Sequence, residues 1–504
     1  MIFPGVVLQF LVLPVALAVT VDYTELKDKK GNGIPDFSFC GYHASNDPLP
    51  DSHRAAAVTI QAASGDQSKQ IQDALNNLSS SSGGGVIALA PGDYHLNSGL
   101  TIPRGVSLRG AGPGKTTLLP KSGEFSVITM GTKVSNPKPG TSFAITDKYV
   151  PVGATKVTVK ASTGLKVGQN VWVQRAVTAK WVRANGMADL VRNGEHQTWL
   201  TVSERTRLVG EYIGWILLTG FLWQPQDTVY QPRIVKAISS NTVTLDIPLT
   251  DQLDSAYMSP KLVIYTPPSA PSELGVESMS ITLSPSCSGK IITDNSCQGS
   301  ALTILPWVTD SYARGMSITG FNNAVKIGQN SSRITIQSVS IHRDHATDNG
   351  AGYAADIAIS GTQVLVIDSG TKGAADAKSF PIVTQGLIPG PNAVVRHFGQ
   401  QPVMQIQPHA HWAHGLLVDN TTATTTLINR GTAGSGHGWA INSGVTWNIN
   451  GDYNIQSPPL GTNWGVGCHG GSRLKGNNGT MEEEKRSVEP ASLFEAQLAA
   501  RGKA

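Results

Sequence analysis

The chain has 504 residues, a formal net charge of +4, only 15% charged residues and 54 glycines. That charge is too weak for the length to argue for a nucleic-acid partner, and abundant Gly, Ser, Thr and Asn argue against a helical bundle. The length would suggest two or three ordinary domains, but not if the chain is a solenoid, in which each turn contacts only its neighbours.

Residues 1–18 are almost continuously apolar, interrupted by Gln9 and ending in Ala16-Leu17-Ala18, a small-x-small cleavage pattern. A membrane helix fits less well, because Pro4 and Pro14 break a run already short for spanning. The expectation is a signal peptide, a secreted extracellular protein mature from about Val19, and no membrane association. Residues 19–60 are polar and rich in Gly and Pro and are expected to form an extended arm. The KDKKGNG run within them lacks the glutamate and spacing of an EF-hand loop.

Gly65 to Leu118 carries the most information. Asp66 and Ser68 open a short helix with Ile71, Ala74, Leu75 and Leu78 on one face, and Gly83 to Gly85 end it. Short β-branched runs follow (VIAL, LTI, VSL), punctuated by glycine. This pattern predicts a helix capping a parallel β-solenoid with one short strand per coil face. GAGPGKTT at Gly110 to Thr117 is not a phosphate loop, because Arg109 stands where its first glycine belongs. The helix followed by GGGVIALAPGDYHL and GVSLRGAG resembles the opening of the pectate-lyase-like, single-stranded right-handed β-helix proteins. That resemblance implies an all-β, right-handed parallel β-helix over residues 61–480, action on a polysaccharide, and a substrate lying along a lateral groove.

Further along, GVESMSITL around Met279, RGMSITGF around Met316 and IQSVSIHRD around Val339 repeat one apolar-polar phase. GTQVLVIDSG, NAVVRHFG and AHGLLVDNT continue it, at a spacing suited to one coil plus loops. Residues 201–224 break the pattern with an apolar patch from Tyr212 to Trp223. They read as a loop on the helix wall or as a translated intron, which sequencing of the transcript would decide. Residues 481–504 read as a charged linker and a short helix, with Pro490 at its first position and Leu493, Phe494, Gln497 and Leu498 on one face.

Secretion makes disulfides the expected state of the four cysteines. Cys287 and Cys297 bracket a small loop and are paired; Cys40 and Cys468 remain and would pair if the N-terminal segment runs back along the helix. Asn77, Asn330, Asn420 and Asn478 open N-glycosylation sequons.

Three stretches concentrate reactive side chains. IHRDHATDN holds Arg343, Asp344, His345 and Asp348. QPHAHWAHGLLVDN holds His409, His411, Trp412, His414 and Asp419. LINRGTAGSGHGWAINSGVTWN holds Arg430, His437, Trp439 and Trp447. On an extended strand His409 and His411 share one face, with Trp412 and His414 on the other. NRG, GSGHGW and GVTWN followed by NWGVGC resemble the terminal coils of secreted β-helix proteins that act on polysaccharides.

A polyuronate lyase needs a cation to neutralise the carboxylate, a base for the adjacent carbon acid and an acid for the leaving oxygen. His345, His409, His411 and His437 are the candidate bases and acids, and Arg343 and Arg430 the candidate carboxylate clamps. Trp412, Trp439 and Trp447 are candidate sugar platforms. The leading expectation is therefore a monomeric β-eliminating lyase acting on an anionic polysaccharide. A glycoside hydrolase on the same fold would use a carboxyl pair, with Asp344, Asp348, Asp368 and Asp419 as candidates. A non-catalytic carbohydrate-binding or surface structural protein is the third reading. The residues indicate no cofactor; dependence on Ca2+ stays open, and His409 with His411 could hold a metal on one strand face.

Overall fold

The computed structural model describes residues 18–200, 228–287, 294–344, 346, 354–374, 376–400 and 404–503. The signal-peptide reading and the apolar 201–224 segment thus fall almost wholly outside the described residues.

Helix α1 (Ser68–Ser82) begins where Asp66 Oδ1 accepts the Ser68 N–H at 3.0 Å and ends at Gly83, whose φ of 71° lets the chain leave in a left-handed turn. Its Ile71, Leu75 and Leu78 are buried against the first coil and close the open end of the helix.

Coil then stacks on coil. Strands Gly275–Thr282, Thr309–Thr319, Ser332–Arg343, Thr362–Ile367, Asn392–Val395, Leu416–Asp419, Val445–Trp447 and Trp464–Val466 pair in parallel, each with the next. In that register Val276, Ala313, Ile336, Val366, Val394 and Val418 lie one above another, all buried. Met279, Met316 and Val339 do the same, as their shared phase predicts. A second wall stacks Ile128, Leu302, Val325, Ile357 and Ile382. Each such side chain, removed from water, contributes roughly 1.5–3 kcal/mol.

The coils corner at a column of left-handed residues: Ser278, Gly315, Ser338, Asp368, Arg396, Asn420, Asn448 and Gly467, with φ between 47° and 66°. A left-handed residue turns the backbone sharply and is costly for β-branched side chains. The corner is therefore written in Ser, Gly, Asp, Arg and Asn while the flanking strands hold Val, Ile and Leu. Successive strands stacked in parallel make this a parallel β-helix, and the right-handed rule for parallel crossovers gives its hand.

Between Met130 and Gly275 the chain leaves the coils. Ser142–Ala144, Lys156–Thr158, Asn170–Ala176, Thr228–Ser239, Thr242–Leu245 and Lys261–Ile264 form a six-stranded antiparallel sheet. It has its own core, including Val171, Val173, Val235, Val243, Leu245 and Leu262. Helix α2 (Ala179–Ala184) and the segment to Leu200 pack this side domain onto the coils through Trp181, Met187, Trp199, Trp412 and Trp439.

The N-terminal segment runs back along the outside of the helix. Val19–Thr20 pairs with Val488–Glu489 in the last coil. The Gly41 N–H then reaches Gln363 O, Tyr42 N–H reaches Thr335 Oγ1, and Val58–Ile60 joins Ile87–Leu89 in the first coils. Helix α3 (Leu493–Ala500) clamps the arm: Gln497 accepts the Phe37 N–H at 2.8 Å and donates to Pro35 O at 2.9 Å. Its N-cap is Ser492, so Pro490 lies ahead of the helix and not at its first position. Cys287 and Cys297 are bonded as expected. Cys40 and Cys468 are not: both are free and buried. Cys40 packs beneath the arm with Phe37 and Leu365, whereas Cys468 points into the coil interior, 3.3 Å from Thr446 Oγ1. Among the described residues no helix is long and apolar enough to cross a membrane.

Candidate functional site

Three adjacent coils bring together most of the predicted imidazoles. The His409 N–H donates to Thr384 O, His411 N–H to His437 O and Trp412 N–H to Trp439 O, so residues 384–387, 409–414 and 437–442 lie one on another. The His409 and His437 rings are 4.7 Å apart and the His411 and His437 rings 5.7 Å. Arg430 joins them, its Nη1 donating to His409 O at 2.6 Å. His411 and Trp412 are both left-handed, with φ of 54° and 53°. The bend keeps His411 with His409 and drives Trp412 into the seam with the side domain.

The side domain holds the loop that carries His437. Arg192 and Gln197 donate to Gly434 O, and Trp199 Nε1 donates to Gly436 O at 2.7 Å. Gly434 has a φ of 57°, and a Cβ there would lie 2.1 Å from His437 Nε2. The GSGHG string is therefore a tight turn folded over an imidazole. Trp199, Arg192 and Gln197 were invisible as site residues because they lie more than two hundred positions upstream, in a separate sheet domain.

Burial sets the electrostatics. It pushes His409 down to about 4, and His411 and His437 down to about 3, with Arg430 and neighbouring imidazoles adding to the effect. Among the described residues no carboxylate is paired with His409 or His437. At neutral pH the cluster is thus three neutral imidazoles beside the Arg430 guanidinium, with that of Arg192 also acting on His437. His409 and Arg430 are half-buried, so the outer edge meets solvent.

The other candidates do not join it. Arg343 is 3% exposed, paired with Asp356 at 2.5 Å and donating to Phe321 O and Asn322 O. It holds coils together and cannot clamp a substrate. His345 and Asp348 lie outside the described residues. Trp412, Trp439 and Trp447 are buried, their indole N–H groups bonded to Asp251, Asn185 O and Pro490 O, so none offers a face to a sugar. His414 is buried against Thr250 Oγ1 at 2.8 Å. Among the carboxylates, Asp344 accepts from Ser286, Asp368 pairs with Arg396 and Asp419 anchors α3, so these three form no catalytic pair. Asn77, Asn420 and Asn478 are exposed and Asn330 is half-buried.

His43, Glu273 and Asp310 form the one metal-like cluster among the described residues. His43 meets Asp47 and Glu273 at 2.8 Å through its two ring nitrogens, and Arg333 pairs with Asp310. Burial opposes its charge, yet the bonds to Glu273 and Asp47 outweigh it and raise the pKa. Both nitrogens facing carboxylates define an imidazolium clasp on the arm, not a ligand.

Asp419 carries a pH dependence. It is fully buried, and Oδ2 accepts from Ser492 Oγ at 2.6 Å and Phe494 N at 2.9 Å. Burial prevails over these bonds and pushes its pKa up to about 7 from 3.8. Between those values the folded chain keeps a proton that the unfolded chain has lost, so this residue's contribution to stability falls as pH rises through the window. The buried histidines act in the opposite sense, which calls for a difference measurement. Asp419→Asn, which cannot ionise, is expected to gain stability relative to the parent between about pH 4 and about pH 7. Urea unfolding of both forms at the two ends checks this; a constant difference contradicts it.

The fold and site define a right-handed parallel β-helix with an antiparallel side domain closing over an imidazole cluster. No protein-family model matches the chain, and no curated protein does. Solved structures similar to it include a mutant tailspike of E. coli bacteriophage HK620 in complex with a pentasaccharide, at 9% identity and a TM-score of 0.35, covering 93% of this chain and 69% of that one. A pectin methylesterase in complex with a hexasaccharide is 10% identical, TM-score 0.30, covering 89% and 95%. The polygalacturonase of Erwinia carotovora is 10% identical, TM-score 0.26, covering 88% and 98%. No chemistry of this chain follows from likenesses so distant.

Proposed function

We propose that the chain is an extracellular polysaccharide lyase that cleaves an acidic polysaccharide by β-elimination, with His409, His411, His437 and Arg430 as its site. The observation that carries the reading is the cluster itself: the rings of His409, His411 and His437 gathered within 5.7 Å of one another along the chain of contacts through His437, with Arg430 bonded to His409 O beside them. Arg430 supplies the charge for a uronate carboxylate and favours electron density moving toward it. A neutral imidazole, His437 in this reading, takes the proton from the carbon beside that carboxylate. The carbon–oxygen bond to the leaving sugar breaks, a carbon–carbon double bond forms, and the leaving oxygen takes up a proton. Because burial keeps the pKa near 3, the base stays unprotonated throughout the neutral range.

The hydrolase reading needs two carboxyl groups facing each other across a glycosidic bond, and of its candidates Asp344, Asp368 and Asp419 each serve another partner. The test is a panel of polyuronates and neutral glucans, read both as ultraviolet absorbance of an unsaturated product and as reducing ends. Absorbance together with reducing ends on a polyuronate is the expected result. Reducing ends alone make the protein a hydrolase, and retention on a polymer without either makes it a binder.

A further inference from the structure

The side domain does more than close over the histidines. Its sheet faces the coils across a cleft of about 330 Å3, a size typical of small-ligand sites. Along Asn170–Ala176 alternate residues are buried, which turns Trp172 and Gln174 toward the cleft. Trp172 lies flat on Tyr265 at 4.1 Å and near Tyr230 at 5.7 Å, and Tyr265 leads on to Trp307 at 6.2 Å. Trp307, buried on the coil side, donates its indole N–H to Asn136 of the segment leaving the coils at 2.8 Å. Among the described residues, the side-chain amides of Gln174 and Gln329 have no protein partner, and both line the cleft.

The lining contains no Lys, Arg, His, Asp or Glu. The half-buried rings of Trp172 and Tyr230 beside free amides suit the apolar ring faces and hydroxyls of sugars. The absence of charge suits neutral sugars and gives no counter-charge to a uronate. Gly386 lines the cleft, and a Cβ there would come 2.9 Å from His411 Cβ, so the cleft neighbours the imidazole cluster. We propose that this cleft is a subsite for an uncharged sugar segment, and that the substrate is a mixed polysaccharide in which neutral residues flank the acidic one. The second half of that statement rests on the lyase reading; the first does not.

The experiment is titration of the whole protein with neutral oligosaccharides (xylo-, manno-, gluco- and galacto-series) and with oligouronates, followed by calorimetry and tryptophan fluorescence. At least one neutral series is expected to bind. Trp172→Ala is expected to weaken it about tenfold or more, the loss of one stacked aromatic face. Ser360→Trp fills the cleft while keeping every aromatic, and should weaken binding equally in a chain whose thermal unfolding is unchanged. No neutral series binding at millimolar concentration, or both cleft variants binding like the parent, overturns the subsite. Neutral binding lost in Trp172→Ala, in a protein that cleaves no polyuronate, keeps the subsite and removes the lyase.

Discussion

His437→Ala is expected to lower turnover of a cleaved polyuronate by about 10²- to 10⁴-fold, the usual contribution of a positioned proton-transfer group, and to leave the fold intact. Its ring lies within 4.7 Å of His409 and 5.7 Å of His411, so truncation removes one member of a contiguous set without reaching the coil interior. Its Nδ1 bonds no other group among the described residues, so no buried partner is orphaned. The pH profile separates a base from a packing residue. A base with a pKa of about 3 predicts parent activity that is flat through neutrality and falls only in strong acid, where the imidazole gains its proton. Arg430→Ala should instead raise KM for the acidic polymer, more steeply at low ionic strength. Parent-like turnover in His437→Ala would remove the assignment, whatever its effect on stability.

Part of this was written plainly in the chain. The capping helix followed from Ile71, Leu75 and Leu78, and the coils from the shared phase of Met279, Met316 and Val339, because a parallel solenoid repeats its side-chain environment locally. The side domain was not legible. Its strands alternate apolar and polar residues just as coil strands do, and their partners, such as Val171 and Arg233, are far apart in sequence. Arg343 misled for a related reason: an arginine beside histidines looks available until the fold brings Asp356 against it. The tryptophans misled because the sequence does not show that a second domain covers them. Trp172, on an unremarked strand, is half-buried and lines the cleft instead.

The join between the two domains depends on one buried carboxylate. Asp251 Oδ2 accepts Arg175 Nε at 2.5 Å, and Oδ1 accepts Trp412 Nε1 at 3.0 Å and Asn442 Nδ2 at 2.8 Å. Arg175 and Asp251 come from the side domain, and Trp412 and Asn442 from the coils. Both charges are almost fully buried, and the guanidinium lies 4.4 Å from the Trp181 ring. Burial works against the Asp251 charge, yet Arg175 and its hydrogen bonds hold the pKa below 3.8.

Asp251→Asn keeps the shape and an acceptor oxygen but strands a guanidinium in the interior. The expected cost is about 3–5 kcal/mol, read as a lower urea midpoint. Because Trp412 follows His411 directly, loosening the join should also lower turnover. Adding Arg175→Met removes the stranded charge, and most of the lost stability should return, since an apolar replacement for a buried ion pair is often near neutral. If the double variant is instead as unstable as Asp251→Asn alone, the cost lies in the hydrogen bonds to Trp412 and Asn442 and not in the stranded guanidinium.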